Sequence, residues 1–513
     1  MTDGFSSDAR ISFLQDVTGA DLQAVHSLVA GTIIRIVFDS SAVSTLSGQV
    51  LGYQLATLTA RLFDRVELEG EESAVSHPSL AILSGPFLAG LRNTLPLLRD
   101  QGIAAESSGL TITVGIGADA GPADVWLGCS SWSTRFSSLV PQGVDDTKVT
   151  LGALAAGVIG ASEIFKLVFK GHLKGSVSVP AYTLSLLDYG LSEGAEPELP
   201  ERIELDATLF GCGSIGCGFL LGTLLSPQIS GVLNLVDNGR FDAKNPVKYQ
   251  LLDYDTGKSA LLKAPWARQK IEQMASNRLV AREYVGTAES YVASLPVDYS
   301  IPVAISAVDT RESRVEIQET LPCMIVNAGI EGTSVEVSVH GFGHGPCLAC
   351  LQLQAEMESW NAGPIAVAVG LSPERAYNLI RLNEGMTRED INLIKAKGIL
   401  PHEKVEEFLD QPLLSLWQRA AYSQAQVQVG EMSNAQVTTA FVSAFAGVLL
   451  TAELIKAVVP ELREFRVNAY QQNLLGVPAE GKFKHERDLT GQCLCHSSFR
   501  LAVYQEKYHD SRL

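Results

Sequence analysis

The sequence has 513 residues, enough for two to four domains of about 150 residues each. Hydrophobic residues make up 46% and charged residues only 19%, which excludes an intrinsically disordered chain. The net charge of -18 disfavours non-specific binding to nucleic acid or to anionic membranes, and eight cysteines are too few for a disulfide scaffold.

Neither a signal peptide nor a transmembrane helix is predicted. The first residues, MTDGFSSDAR, lack the charged-then-apolar pattern of a signal. The longest apolar run, from Phe441 to Ala452, is shorter than the roughly 18 residues that span a bilayer and contains Ser443 and Thr451. We therefore expect a soluble cytoplasmic protein.

The N-terminal half carries no intact nucleotide motif. Gly115-Ile116-Gly117 is followed by a sequence that misses the GxGxxG pattern, and Asp119 would occupy space that a phosphate needs. The stretch AAGVIGASEIFKLV, from Ala155, is echoed by FAGVLLTAELIKAV from Phe445, with Glu and Lys at the same spacing. Two related halves that each end with this helix would explain the echo, and chance similarity of two Ala-rich helices is the alternative.

An acidic stretch with two prolines, LSEGAEPELPERIE, begins at Leu191 and is typical of a linker. Strand and helix patterns alternate after it. Strands are predicted at 206–210, 232–236, 303–308 and 323–327, and a helix is predicted to end near 225. This alternation predicts a parallel α/β sheet with its ligands at the carboxyl ends of the strands.

The turn after the first of these strands is a GxGxxG, Gly211-Cys212-Gly213-Ser214-Ile215-Gly216. Glycine permits close approach of the backbone to a phosphate, and the helix N-terminus supplies N–H donors. Asp237 ends the next strand, where a carboxylate can bind ribose hydroxyls. Taken alone, these features fit a dinucleotide-binding dehydrogenase or a purely structural turn equally well.

The following segments carry a family resemblance. NGRFDAKNPVKYQLLDYDTGKSALLKAPWARQKIEQM begins at Asn238, Asp309 ends a later strand, and Cys347-Leu348-Ala349-Cys350 comes after it. This order, over about 203–350, resembles the adenylating family that includes ThiF, MoeB, the microcin-adenylating enzyme and the ubiquitin-activating enzymes. The resemblance implies an α/β fold, with a Rossmann-like ThiF-type adenylation domain and a mixed sheet, preceded by a degenerate copy of the same fold.

The resemblance also implies a division of the chain. It comprises an inactive adenylation-like domain (1–190), a linker (191–203), an active ATP-binding adenylation domain (204–350), a crossover or helical insert (351–440) and a C-terminal part of the adenylation domain with the second zinc half-site (441–513). An inactive half that pairs with an active half is typical of the ubiquitin-activating branch.

Roles for single residues follow from the resemblance. It implies that ATP binds at the glycine loop, that Asp237 binds the ribose beside Asn238, and that Asp309 holds Mg²⁺. The candidates for catalysis are Lys263, Asp309, Arg240, Asn245, Gln250 and Thr387, and those for nucleotide binding are Gly211, Gly213, Ser214, Ile215, Gly216, Asp237, Asn238 and Lys258.

The chain departs from the family pattern in two places. The arginine before the glutamine is absent, since Lys248 and Tyr249 precede Gln250, and Arg240 is the expected substitute. The family lysine is ambiguous: Lys258 follows a glycine, but the sequence from Lys263 better matches the helix that this lysine opens. In homodimeric relatives a second copy lends a cation to the site, a role for which Arg10 or Arg35 of the N-terminal half is a candidate here.

Cysteines predict a zinc site. Cys347 and Cys350 form a CxxC, and Cys493 and Cys495 form a CxC that is followed by His496, a substitute candidate for one thiol. Four thiolates can hold a structural zinc, whereas a redox role or plain buried thiols are the alternatives. The remaining cysteines are Cys129, Cys212, Cys217 and Cys323; the two near the glycine loop could be reactive at a helix N-terminus, or simply small and buried.

The stretch between the cysteine clusters contains no cysteine, although ubiquitin-activating enzymes carry their thioester nucleophile there. Three outcomes are therefore open. The enzyme stops at the adenylate, or it transfers the acyl group to a cysteine elsewhere, or it forms an oxyester on a hydroxyl. Thr387 is the candidate hydroxyl, but with Asp390 it also matches a helix cap.

These features predict ATP-dependent adenylation of the C-terminal carboxylate of a ubiquitin-like protein, with transfer to a nucleophile or a conjugating enzyme. The alternatives are an adenylation-only enzyme for a sulfur carrier or peptide, an NAD-dependent oxidoreductase and an inactive scaffold. A homodimer and a bacterial role in defence or protein modification are further expectations, whereas neither nucleic acid nor membrane is an expected partner.

Overall fold

The computed structural model describes residues 14–15, 18–99, 109–173, 178–242, 245–343, 345–352, 362–382, 384–398, 405–413, 416, 439–488, 491 and 493–509. The chain forms two compact units, a larger α/β unit and a smaller unit drawn mainly from 349–435. The fold class is α/β, as predicted, and the larger unit contains two mixed sheets.

The first sheet belongs to the N-terminal half and has the strand order β2-β1-β3-β4-β5-β6. Strands β1 to β4 are parallel, whereas β5 and β6 run antiparallel to their neighbours. The elements of this half are α1 (Leu22–Gly31), β1 (Ile33–Phe38), α2 (Ser40–Ser44), α3 (Leu46–Ala60), β2 (Arg65–Glu69), α4 (Phe87–Thr94), β3 (Thr111–Ile116), β4 (Val125–Cys129), β5 (Ser133–Ser137), α5 (Leu151–Val168) and β6 (Ala181–Ser185).

The second sheet has the order β14-β13-β12-β11-β10-β7-β8-β9. Its elements are β7 (Ile203–Phe210), α6 (Ser214–Leu224), β8 (Ile229–Val236), α7 (Tyr254–Lys258), α8 (Lys263–Ala275), β9 (Leu279–Tyr284), α9 (Ala288–Ala293), β10 (Val303–Ser306), α10 (Arg311–Glu319), β11 (Met324–Glu331), β12 (Ser334–Gly341), α14 (Ala440–Val458), β13 (Ala469–Asn473), β14 (Lys482–Phe483) and α15 (Ser498–Lys507). The helices α11 to α13 belong to the smaller unit and are given below.

The parallel part of this sheet, β9-β8-β7-β10-β11, is wound in the 3-2-1-4-5 order of dinucleotide-binding folds. The predicted strands and the glycine-turn helix are all present. The predicted strand 303–308 is two residues too long, however, because β10 ends at Ser306 and Asp309 lies in the loop that follows.

The two sheets share one topology. In the first sheet, β1 is flanked by β2 on one side and by β3-β4-β5-β6 on the other. In the second sheet, β7 is flanked in the same way by β8 on one side and by β10-β11-β12-β13 on the other. In both halves the long apolar helix, α5 or α14, connects the last two of these strands, which run antiparallel. The echoed sequences therefore occupy equivalent positions.

Helices α6 and α14 pack closely through glycines. A Cβ atom on Gly447 would lie 2.1 Å from the carbonyl carbon of Gly218, so no side chain fits at this crossing. One turn away, a Cβ on Gly222 would lie 2.4 Å from the hydroxyl of Thr451. Helix α6 is thus held against the backbone of α14 along the turns that contain Gly218 and Gly222.

Each echoed helix carries a buried ion pair. Lys166 and Glu163 are 2.6 Å apart in α5, and Lys456 contacts Glu453 in α14. The second pair also joins the halves, because Tyr189 donates its hydroxyl hydrogen to Glu453 at 2.6 Å, and Lys456 donates to the carbonyl oxygens of residues 186 and 187.

Helices α5 and α14 are long and apolar enough to cross a membrane by length and composition. In both, 94% of the most hydropathic stretch is buried inside the protein, as in the core helices of soluble proteins. The strands of the two sheets and these helices share one continuous hydrophobic core.

The smaller unit contains α11 (Ala362–Val369), α12 (Pro373–Leu382) and α13 (Arg388–Lys397). Its own core includes Ile365, Leu379, Ile391 and Ile394. Arg375 joins α12 to α13 because its guanidinium donates to both oxygens of Asp390.

The buried pair of α14 generates a stability prediction. Lys456→Met leaves the buried Glu453 carboxylate without its cation and is expected to lower the free energy of unfolding by about 3–5 kcal/mol. Adding Glu453→Gln removes the stranded charge and keeps an acceptor for Tyr189, so the double variant should lose less. Chemical denaturation measures both, with the exposed pair Arg268–Glu272 as control, where Arg268→Met should cost at most about 1 kcal/mol. The prediction would be contradicted if the double variant lost as much free energy of unfolding as the two single variants lose together.

Candidate functional site

A cavity of about 300 Å³ opens at the carboxyl ends of β7, β8 and β10, where the winding direction of the sheet reverses. This is the position at which open α/β sheets bind ligands. It is lined by Phe210, Gly211, Gly213, Ser214, Ile215, Val236, Asp237, Asn238, Gly239, Lys248, Tyr249, Lys263, Gly286, Thr287, Ala288, Ala307, Val308, Asp309, Ser313, Glu316 and Ile317.

The glycine loop forms one wall. Gly211 has φ +94°, and a Cβ atom there would lie 2.6 Å from the carbonyl oxygen of Ala307, so only glycine fits. Gly213 precedes α6 as its N-cap and offers no side chain to the N–H groups of the first turn. The first turn of α6 borders the cavity at the lining residues Ser214 and Ile215, and the N–H groups of a helix N-terminus favour negatively charged ligands.

Asp237 is held rigidly at the end of β8. One carboxylate oxygen accepts a hydrogen bond from the Cys212 N–H at 2.7 Å, and the other accepts from the Gly239 N–H at 2.6 Å. The carboxylate thus ties the glycine loop to the turn that follows β8. Remaining lone pairs on its oxygens are available to ligand hydroxyls.

Lys263 opens α8 and reaches the same turn. Its N–H donates to the carbonyl oxygen of Gly239 at 3.1 Å, and its ammonium would lie 3.1 Å from a Cβ atom on Gly239. The ammonium therefore lies near Asp237, since one oxygen of that carboxylate would lie 3.0 Å from the same Cβ position. It also lies 5.7 Å from the centre of the Tyr249 ring.

A further wall comes from the loop after β10, which adjoins the glycine loop at Ala307, and from α10. Asp309, Ser313 and Glu316 line the cavity there, and the hydroxyl of Thr310 caps α10 by accepting from the Ser313 N–H. The cavity is thus lined by acidic residues from two walls and by Lys248 and Lys263, a mixture suited to a polyanion that carries a divalent cation.

Six of the sequence candidates lie outside the cavity lining: Gly216 of α6, Thr387 of the smaller unit, and Lys258, Arg240, Asn245 and Gln250. The ammonium of Lys258 stacks 3.9 Å from the ring centre of Tyr254, and Arg240 donates to the carbonyl oxygen of Ala260. The side-chain amide of Asn245 donates to Asp242 at 2.9 Å. The Gln250 side chain is buried, and among the described residues neither of its amide atoms has a hydrogen-bond partner.

Arg61 of the N-terminal half contacts the segment 245–252 beside the cavity, and no sequence motif marks this residue. Its guanidinium donates to the carbonyl oxygens of Pro246, Gln250 and Leu252. The candidate Arg35 instead pairs with Glu67 and Glu69 across β1 and β2 of its own sheet. Arg10 lies outside the described residues.

The counterpart of the glycine loop in the N-terminal half follows β1, not β3. The sequence comparison with Gly115–Gly117 was therefore wrong in position: that segment corresponds to the end of β10, and Asp119 corresponds to Asp309. After β1 the chain has Asp39, whose carboxylate accepts from the N–H groups of Ala42 at 2.6 Å and Asp119 at 3.1 Å. A carboxylate of the chain itself thus binds N–H groups after β1 and after β3 in this half.

The thiols near the glycine loop are buried and protonated. Burial raises the pKa of Cys217 to about 12 and that of Cys129 to about 12, and it raises the pKa of Cys212 well above its usual value. A nearby Asp237 carboxylate raises the pKa of Cys212 further. The structure therefore favours the small-and-buried alternative over reactive thiols.

The four zinc candidates come together. The sulfurs of Cys347, Cys350, Cys493 and Cys495 lie within 4.8 Å of one another, all four residues are buried, and His496 is exposed. The Sγ atoms of Cys350 and Cys493 are 3.5 Å apart, close to the roughly 3.8 Å between two thiolates on tetrahedral zinc. The backbone N–H of Asp488 points at Cys350 Sγ from 3.4 Å, as expected for a ligating thiolate. This buried group fits a zinc ion.

Thr387 caps α13. Its hydroxyl accepts from the Asp390 N–H, and Asp390 in turn accepts from the Thr387 N–H at 2.8 Å and from the Thr387 hydroxyl at 2.8 Å. The structure thus describes the capping box that the sequence offered as the alternative role for this residue.

Sequence reasoning missed several cavity residues. Gly286, Thr287 and Ala288 connect β9 to α9, and Ser313, Glu316 and Ile317 belong to α10. They are ordinary turn and helix residues in the sequence, and only the winding of the sheet places them beside the glycine loop.

Comparison with known proteins gives distant similarities. No protein-family model matches the sequence. The chain is 27% identical to the uncharacterized protein y4jF of Sinorhizobium fredii, over 99% of this chain and 97% of that protein. Among solved structures it is similar to Escherichia coli MccB (12% identity, TM-score 0.33) and to MccB with ATP (12%, TM-score 0.30). The matches cover 58% and 54% of this chain, and in both cases 66% of MccB. The chemistry of the site must therefore be inferred from its own residues.

The cysteine cluster predicts a bound metal. Protein prepared without chelator should contain about one zinc per chain, because four buried thiolates match a closed structural site. Cys350→Ser should reduce the zinc content by more than half and lower the melting temperature. Cys129→Ser, at a buried thiol outside the cluster, is the matched control and should retain zinc. Elemental analysis that finds no zinc in the wild-type protein would refute the site.

The raised thiol pKa values predict chemical inertness. At pH 8 a thiol of pKa about 12 is only roughly one part in 10⁴ thiolate, so iodoacetamide should leave Cys212 and Cys217 unmodified in the native protein. Both should react after denaturation, when burial no longer holds the proton. Rapid native labelling at either position, detected by peptide mass spectrometry, would show that the pocket thiols are activated.

Proposed function

We propose that the chain is an ATP-dependent adenylating enzyme that acts on the C-terminal carboxylate of a small protein or peptide, a ubiquitin-like protein being the favoured class. The observation that carries this proposal is the meeting of the glycine loop, Asp237, Lys263 and Asp309 around one cavity. An anion site, a ribose acceptor, a cation and a metal-binding carboxylate are what this reaction requires.

In this reaction a carboxylate oxygen of the substrate attacks the α-phosphorus of ATP. A new P–O bond forms, the bond to the β-phosphate oxygen breaks, and pyrophosphate leaves with the electron pair. The N–H groups at the start of α6 would hold the phosphates, and Asp237 would accept from the ribose hydroxyls. Lys263 would offset the negative charge that develops during transfer.

Magnesium fits the site through Asp309. This ion is held by one or two carboxylates together with substrate phosphates, and it would neutralise phosphate charge. Asp309 lines the cavity beside the glycine loop, and Glu316 adds a second carboxylate on the same wall. Zinc, in contrast, would be structural and would act at the cysteine cluster.

A nicotinamide oxidoreductase is the second candidate, since the winding of the sheet and the glycine loop suit a dinucleotide equally well. The two lysines and the Asp309 wall favour a triphosphate, because hydride transfer needs neither a metal-binding carboxylate nor a cation beside the phosphates. Pyrophosphate exchange without any hydride transfer separates the two functions.

An inactive scaffold is the third candidate, in accord with the missing arginine before Gln250. It would bind the small protein without ATP affinity. Calorimetry with ATP, on the wild type and on Asp237→Ala and Asp309→Ala, tests it: binding that both substitutions abolish contradicts a scaffold.

The fate of the adenylate is open to three routes, because 351–492 contains no cysteine. The acyl group could remain an adenylate, pass to a cysteine of a conjugating enzyme, or reach a hydroxyl such as that of Thr387. Intact mass of the enzyme and of the small protein after incubation with ATP tests these routes. An adduct that resists thiol but yields to hydroxide is an oxyester, and one that thiol cleaves is a thioester.

We further propose that residues 1–190 form an inactive adenylation-like domain, with 204–350 and 441–513 as the active one, in a cytoplasmic protein that could form a homodimer. The shared topology of the two sheets supports this, and Asp39 explains why the first site would not bind phosphate.

The two candidate lysines can be distinguished by substitution. Lys263→Ala should lower the rate of ATP–pyrophosphate exchange by about 10²-fold, because it removes the cation from the cavity. Lys258→Ala is the matched control and should stay within about twofold, since its ammonium stacks on Tyr254 outside the lining. Full exchange activity in Lys263→Ala would reverse the assignment.

A further inference from the structure

The segment 245–252 forms a tight turn against the cavity. The carbonyl oxygen of Asn245 accepts from the N–H groups of Lys248 at 3.0 Å and Tyr249 at 3.1 Å. Lys248 and Tyr249 line the cavity, and Phe241 packs edge-on against Tyr249, with ring centres 5.5 Å apart. The position of two cavity side chains thus depends on the course of this backbone.

Three carbonyl oxygens of the segment meet a buried side chain from the N-terminal half. They belong to Pro246, Gln250 and Leu252, and all three accept hydrogen bonds from Arg61. The bonds to Gln250 and Leu252 measure 2.6 and 2.8 Å. They bracket Lys248 and Tyr249 on both sides in the sequence.

Arg61 comes from the other half of the unit. It follows α3 directly and is completely buried, and its Nε has no hydrogen-bond partner among the described residues. Burial lowers its pKa to about 10, so it remains a cation at neutral pH. A buried cation is costly unless its donors are satisfied, and here three main-chain oxygens satisfy the two terminal nitrogens.

We infer that Arg61 is a positioning residue through which the N-terminal half fixes Lys248 and Tyr249 in the nucleotide cavity. The inference rests on the proposed function and deepens it: the N-terminal half acts on the site through the backbone of the 245–252 segment, and its guanidinium does not touch the nucleotide. One planar group with a fixed fork of donors can hold three carbonyl oxygens, which a lysine ammonium on a flexible stem cannot reproduce.

The test compares Arg61→Lys with Arg278→Lys. Arg278 is a matched control because it also donates to three backbone carbonyl oxygens, those of Thr223, Leu224 and Ile229, and burial also lowers its pKa to about 10. It lies at the amino end of β8, the end opposite to the cavity. Both substitutions should lower the melting temperature.

Only Arg61→Lys should weaken ATP binding, raising the calorimetric Kd at least about tenfold, because displaced side chains no longer meet the phosphates. A melting temperature lowered in both variants with an unchanged Kd for ATP would overturn the inference. If the wild-type chain does not bind ATP at all, the proposed function itself fails. If the wild type binds ATP and Arg61→Lys leaves the Kd unchanged, only this inference fails, so the two failures are distinguishable.

A double-mutant cycle separates positioning from general destabilisation. Lys248→Ala should weaken ATP binding in the wild type but have little further effect in Arg61→Lys, since Lys248 is already displaced there. Lys263→Ala, outside the clamped segment, should weaken binding by the same factor in both backgrounds. Full additivity of Lys248→Ala with Arg61→Lys would contradict the inference.

Hydrogen exchange on the wild-type chain provides a test that needs no variant, should Arg61→Lys fail to fold. Saturation with ATP should slow exchange at the amides of 245–252 and also at Leu62 and Phe63, which follow Arg61. Protection confined to the cavity, with none at Leu62 and Phe63, would overturn the inference.

Discussion

The contact of α6 with α14 is the constraint on which the rest of the larger unit depends. Backbone meets backbone at Gly218 and Gly447, and any side chain at Gly447 would collide with α6. Helix α6 begins at the glycine loop, so the depth at which it packs on α14 sets where the loop meets the carboxyl ends of the strands. A helix near the end of the sequence thus determines the geometry of a loop that precedes it by more than two hundred residues.

The two halves use one topology for opposite electrostatic purposes. After β7 the chain carries glycine, which leaves helix N–H groups to a ligand, whereas after β1 it carries Asp39, which satisfies such groups with its own carboxylate. The same sheet order is retained in both. The buried network of Tyr189, Glu453 and Lys456 joins the N-terminal half to α14.

Local signals in the sequence predict the strands, the glycine loop and the carboxylate at the end of β8, because periodicity and turn chemistry reside within a few residues. They also predict the four cysteines that come together. They fail for Asp39 and Arg61, since a carboxylate after one strand and an arginine after one helix have no motif, and their roles arise from tertiary contacts. The misplaced comparison with Gly115 has the same origin. The glycine motif directs attention to Gly115, but the equivalent turn follows β1 at Asp39 and contains no glycine.

Helices α5 and α14 have a consequence for the biosynthesis of the chain. Each is apolar enough to pass as a membrane segment until its partners cover it. Helix α5 packs on α3, β4 and β5, which are all synthesised before it, but the side that faces α14 has no partner while the second sheet is still absent. Truncated chains that end before α14 are therefore expected to expose this one apolar side, although α5 keeps its partners in the N-terminal half.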